Sequence, residues 1–192
     1  DHAARLTGQS AAAVRVPPAA AEAEALLTDA RTLRDERRGV RDRLDAAADS
    51  LSLNPRAARH RVALERDREL LGVLIAATTQ ITGMARAVHD HGTATLAGTP
   101  LGESIALELD RTAHDLRFVG RQVARAWERP VRGADGPSEP SADTTSIPAL
   151  TAPLAVASSP PADWILVGFL LEDIRRLREG IIAFRDGEPP PA

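Results

Sequence analysis

The chain has 192 residues, a net charge of −3 and only 3% aromatic side chains, with no Cys, no Tyr and no Lys, so that all 24 basic residues are Arg. The absence of cysteine excludes a disulfide framework, a thiolate metal site and a cysteine nucleophile, and the near-neutral charge lacks the basic field of a nucleic-acid-binding protein. Leu, Ile, Val and Ala supply the apolar surface, which suits interlocking helices better than a β-sandwich, and the length suffices for one sizeable core.

Residues 1–18 are polar or Ala-rich and close on Pro17-Pro18. They read as a lead-in, either mobile or a short helical extension of whatever precedes. The N-terminus has no positive start followed by an apolar run, so nothing there resembles a signal peptide, and the missing initiator Met points to a piece of a longer protein. Residues 19–129 carry three long helices. The first runs from about Ala19 to Leu51, with Leu26, Ala30, Leu33, Val40, Leu44, Ala47 and Leu51 spaced by threes and fours. Arg37 interrupts this seam within a block of six arginines, Arg31 to Arg43. That block could be an anion contact, but Asp29, Asp35, Glu36, Asp42 and Asp45 nearly balance it. Pairs such as Arg31–Asp35 and Arg38–Asp42 favour a solvated helix surface.

A tight connection leads into the second helix, bracketed by Asn54 as cap, Pro55 at the first helical position and Gly92 as the stop. At 1.5 Å per residue it would be about 55 Å long. Leu70, Leu74, Ala77, Ile81, Met84 and Val88 form its stripe, widened by Leu64, Leu71, Ile75 and Ala85, and the part from Leu70 onward reads as enclosed by partners. Its charged first half, through ALERDREL with Glu65, Asp67 and Glu69, should pair chiefly with the first helix and leave an exposed two-helix end.

The third helix starts at Thr99-Pro100 by the same cap-then-proline logic and runs to about Glu128 before Pro130, burying Ile105, Leu109, Ala113, Leu116, Val119, Val123 and Trp127. Residues 130–161, rich in Pro, Ser, Thr and Ala, have a linker composition. The last helix spans 162–187, with Trp164, Val167, Leu171, Ile174, Leu177, Ile181 and Phe184 as its core face, and 188–192 form a tail. The expectation is an all-α fold: an antiparallel up-down-up-down four-helix bundle with a Pro/Ser-rich strap before the last helix.

The residues single out no catalytic, cofactor-binding or metal site, and no cofactor. His89 and His91 are two apart and point about 200° away from one another on a helix, so a role at the negative helix end outweighs metal binding. No Glu-x-x-His pair suggests a di-iron site. Asp110 and His114 are placed to hydrogen-bond to one another, as a structural pair more than a general base. Trp127 and Trp164 read as core anchors and not as base-stacking platforms. Gly72, Gly83, Gly120 and Gly168, inside helices, permit close helix approach or a cavity.

ARHRVALERDRELLGVLIAATTQITGMARAV (Ala58 to Val88) and ADWILVGFLLEDIRRLREGI (Ala162 to Ile181) resemble the C-terminal cytoplasmic region of bacterial fusaric-acid-resistance-type, or aromatic acid exporter, membrane proteins. The residues carrying the resemblance are Trp164, Leu166, Gly168, Leu170, Leu171, Asp173, Arg175 and Arg176. It covers about a quarter of the chain. The resemblance implies a cytoplasmic helical domain of an inner-membrane exporter, preceded by membrane spans upstream of Asp1 and pairing with copies of itself, while the residues themselves argue against an enzyme and against nucleic-acid binding. Its role would be assembly, gating or substrate capture, with a small aromatic acid as the candidate ligand. The other reading is a stand-alone helical ligand sensor or adaptor with a pocket between the second, third and last of the long helices.

Overall fold

The structure, a computed structural model, describes residues 1–52, 58–128 and 164–186. They form five α-helices: α1 (His2–Arg15), α2 (Ala20–Ser52), α3 (Ala58–His91), α4 (Pro100–Glu128) and α5 (Trp164–Asp186). The fold is all-α, with no strand among the described residues.

The helix ends follow local chemistry. Gly92 terminates α3 at φ +66°, a left-handed conformation that suits glycine. Thr99 caps α4: its hydroxyl accepts from the Gly102 N–H at 3.0 Å and donates to the Leu96 carbonyl at 2.8 Å. Gly102 fits because it lacks a side chain, since a Cβ there would run into the Leu96 carbonyl oxygen. That contact is with backbone and cannot swing aside. Gly102→Ala should lower stability by about 1–3 kcal/mol, the usual range for forcing atoms into a packed site. Denaturant unfolding checks it, and an unchanged midpoint would show that the α3–α4 turn relaxes freely. The Asn54-Pro55 start expected for α3, and the strap at 130–161, lie outside the described residues.

Within residues 1–18, read as a mobile lead-in or a short helical extension, His2–Arg15 form a helix that belongs to the core. Leu6 and Val14 are 0% exposed, and α1 packs mainly on α4, with α3 and α2 as further neighbours. Its buried face hides from a hydropathy pattern because five of its seven residues are small or hydroxylated. Thr7 and Ser10 are fully buried, yet each hydroxyl donates to a carbonyl one turn back, of Ala3 and Leu6. Such self-satisfied hydroxyls can be buried without a foreign partner. Ala4, Ala11 and Ala13 complete the face and allow close approach. Arg15 fastens the end of α1 to α4 through Asp110 at 2.7 Å and Glu103 at 3.2 Å.

The core gathers Ile81, Met84 and Val88 of α3, Ile105 and Leu109 of α4, Val167, Leu170, Ile174 and Leu177 of α5, Leu26 and Leu27 of α2, and Leu6 and Val14 of α1. Ala63–His91 of α3 has the length and apolar composition of a membrane span, but 56% of its apolar window is buried against neighbouring helices, as befits a central core helix. In α2 no residue beyond Ala30 is fully buried, and Val40 is 37% exposed. The seam thus fades near Arg37, leaving the far half of α2 as the exposed arm the sequence suggested.

Two further expectations are corrected. Trp164 is 47% exposed and not a core anchor; Leu166 and Leu170, one face over, take the inward positions on α5. Leu74, expected on the enclosed side of α3, is 41% exposed. The side chains of Val123 and Trp127 lie outside the described residues.

Candidate functional site

The feature that packing alone does not explain is a groove of about 690 Å³ between α2, α3 and α5. α2 contributes Arg34 and Arg37. From α3 come Thr78, Thr79, Gln80, Thr82, Gly83, Arg86, Ala87, Asp90 and His91, and from α5 Phe169, Asp173 and Arg176. Four guanidinium groups therefore face two carboxyl groups. Among the described residues Arg34, Arg37 and Arg86 make no hydrogen bond or ion pair, whereas Arg176 is held by Glu172 at 2.6 Å. Arg86 acts on the Asp90 carboxylate, and an anion placed in the recess would meet the charges of Arg34, Arg37 and Arg86 together.

The rest of the lining is suited to a planar organic group. The His91 and Phe169 rings stack with centroids 6.3 Å apart and planes 16° from parallel, making a short aromatic shelf at one end. Phe169 is 55% exposed, so much of that ring stays available for contact. Thr78, Thr79 and Thr82 donate their hydroxyl hydrogens back to the carbonyls of Leu74, Ile75 and Thr78, which leaves their oxygens as acceptors only. The Gln80 amide makes no hydrogen bond with the described residues and can donate as well as accept.

Asp173 lies at the α3–α5 seam of the groove. A Cβ built on Gly83 would stand 2.5 Å from Asp173 Oδ2, so the absence of a side chain at Gly83 is what admits the carboxyl group against α3. Burial raises the Asp173 pKa to about 6, with Arg176 pulling it down and Glu172 pushing it further up. The neighbouring carboxyls behave in the opposite way. Glu172 is lowered to about 2 by its hydrogen bonds with Arg175 and Arg176, and Asp90 is lowered by its hydrogen bond with His89. Near neutral pH the groove thus contains one carboxyl that is easily protonated and one that stays ionised.

Compared with protein-family models, with curated proteins and with solved structures, the chain matches none. The site therefore stands on its own geometry.

The six-arginine block of α2 divides between two roles. Arg38 pairs with Asp35 at 3.2 Å and Arg31 with Glu24 at 3.5 Å, exposed contacts of the solvated-surface kind, although their partners are not the Asp42 and Asp35 expected from i,i+4 spacing. Arg34 and Arg37 instead face α3 across the groove. His89 bridges Asp90 at 2.7 Å and Glu24 at 2.9 Å, tying the end of α3 to the start of α2, and its pKa is raised chiefly by the Asp90 hydrogen bond. No group of three or more His, Asp or Glu side chains suited to a metal occurs among the described residues. The expected Asp110–His114 pair does not form. Asp110 turns instead to Arg15 of α1, at 2.7 Å.

A second recess, of about 150 Å³, lies between α1, α3, α4 and α5, where Leu70, Val73, Leu74, Leu116, Val119 and Leu177 line it. It coincides with the pocket position anticipated between the second, third and last long helices. Gly120 and Gly180 open on to it, each with no atom within 4 Å of where a Cβ would stand. Of the glycines singled out in the sequence, Gly83 thus serves a close approach and Gly120 a cavity.

Proposed function

We propose that the chain is a non-catalytic helical binding domain that captures a small planar organic anion in the groove between α2, α3 and α5. The observation that carries this reading is the gathering of three guanidinium groups, Arg34, Arg37 and Arg86, in one recess with an aromatic shelf. The resemblance of Trp164 to Arg176 to the aromatic acid exporters supplies the setting: a cytoplasmic domain at the bacterial inner membrane, following membrane spans upstream of Asp1 and capturing an aromatic acid. In that setting the four long helices run up, down, up and down with α1 added to their core, and the exposed α2–α3 arm pairs with another copy.

Calorimetric titration with benzoate at low ionic strength tests the binding. Saturable binding that weakens with added salt is expected, because the recognition is electrostatic and partly exposed. Arg86→Gln and Arg34→Gln should each weaken it about tenfold, the loss of one charge-assisted hydrogen bond. If benzoate and benzenesulfonate both fail to bind, or if the two variants bind as the parent does, the groove is not an anion site. The exporter setting is tested separately by the complete reading frame, where an absence of hydrophobic spans upstream of Asp1 would remove it.

A further inference from the structure

Resting on that anion-binding reading, we infer that the groove takes up its anion together with a proton carried by Asp173, and that its ligand is a monoanion with a flat ring. A carboxylate drawn into the groove by Arg34, Arg37 and Arg86 shares one recess with the Asp173 carboxyl group. Two carboxylates side by side repel strongly in a partly desolvated site, and sharing one proton converts that repulsion into a short O–H···O hydrogen bond. Asp173 is placed for this. It is half-buried, it makes no hydrogen bond or ion pair with the described residues, and Gly83 holds it against the α3 backbone.

The charges acting on Asp173 are those of its own helix, Arg176 and Glu172. Arg34 and Arg37 of α2 and Arg86, Asp90 and His91 of α3 line the same groove. Glu172 is engaged by Arg175 and Arg176, and Asp90 by His89, so neither is free to take the proton. His91 is the competing acceptor, since a protonated imidazole would also favour an anion. Already in the free protein burial brings Asp173 to about 6, within reach of neutral pH, and a bound anion raises it further. The proton balance is simple: one proton leaves solvent and resides on Asp173 while the ligand stays an anion, so the complex gains no net charge. A flat ring fits the His91–Phe169 shelf, and a second negative charge on the ligand would meet Asp90.

Benzenesulfonate is the probe of choice because its sulfonate does not titrate between pH 5 and 8, so that any pH dependence belongs to the protein. Titration calorimetry of the whole chain in two buffers of different ionisation enthalpy counts the protons taken up. Uptake approaching one proton at pH 7 is expected, with affinity falling about tenfold per pH unit above the free Asp173 pKa. Asp173→Asn, which keeps the shape and still donates a hydrogen bond, should bind with a nearly flat pH profile and no uptake. His91→Phe, which keeps a ring on the shelf but cannot take up a proton, should retain the uptake. Uptake that persists in Asp173→Asn, or that vanishes in His91→Phe while binding remains, overturns the assignment to Asp173. Binding that is pH-independent in the parent protein overturns the proton coupling while leaving the anion site intact, whereas no binding at any pH overturns the site itself.

Discussion

Leu6→Ala is expected to destabilise the protein by about 2–5 kcal/mol, the range for emptying a closed leucine site, and removal of residues 1–15 to abolish cooperative folding. Leu6 is 0% exposed on a helix that covers Ile105, Leu109 and Ala113 of α4, all three 1% exposed or less. The loss would leave a cavity walled by three other helices with little freedom to close in. Against the 5–15 kcal/mol by which a domain of this size is typically stable, one such truncation is a large fraction, and uncovering the whole α1–α4 interface exceeds it. Urea unfolding followed by circular dichroism measures both. A Leu6→Ala midpoint equal to that of the parent would mean that α1 rests on the surface and that the helices behind it form the core without it.

The second large effect is a loss of stability as pH rises from about 4 to 7. Asp173 binds its proton more tightly in the folded state, at about 6, than in the unfolded chain, at the ordinary 3.8. Between those values the folded state holds more protons, so raising the pH favours unfolding, and the penalty is complete above about 6. Two units correspond to about 3 kcal/mol at most, and partial solvent access reduces this to about 1–3 kcal/mol. Asp115, raised by burial, adds in the same direction, as does His89, whose raised pKa gives stability that is lost as pH climbs through it. Glu172 and Asp90, both lowered, act in the opposite sense and below this window, as exposed pairs of small weight. Asp173→Asn should therefore be more stable than the parent at pH 7.5 and about equal to it at pH 4. Equal stability of the two proteins at pH 7.5 would show that the Asp173 carboxylate is solvated in the folded state.

A carboxyl group that costs stability at neutral pH stands at the recess lined by Arg34, Arg37 and Arg86. A carboxyl group perturbed by burial within a recess is the usual mark of a site arranged for a ligand and not for the fold. The ion pairs elsewhere show the contrast. Glu108 of α4 takes both Arg111 at 2.7 Å and the half-buried Arg178 of α5 at 2.9 Å, so both cations at that crossing are paired.

What the sequence determined by itself was the helical class and most of the helix ends. Gly92, Thr99 and Pro100 act through their own backbone preferences, and the stripes Ile81–Met84–Val88 and Ile105–Leu109–Ala113 follow the period of a single helix, so both are readable one segment at a time. The mixed charges of the α2 block likewise announced an exposed arm. Only the tertiary structure decided the membership of α1 in the core, since a face of Ala, Thr and Ser carries little hydropathy and becomes a buried surface only when α4 lies against it. The same holds for Trp164, because helical period places it on an apolar face but the neighbouring helices decide which of two adjacent apolar faces is covered. The groove was the least legible feature. Arg34, Arg37, Arg86, Phe169 and Asp173 come from three helices, and each looks like an ordinary surface or core residue in its own segment. Charge repulsion, desolvation and stacking are properties of distance, and those distances exist only once α2, α3 and α5 have packed together.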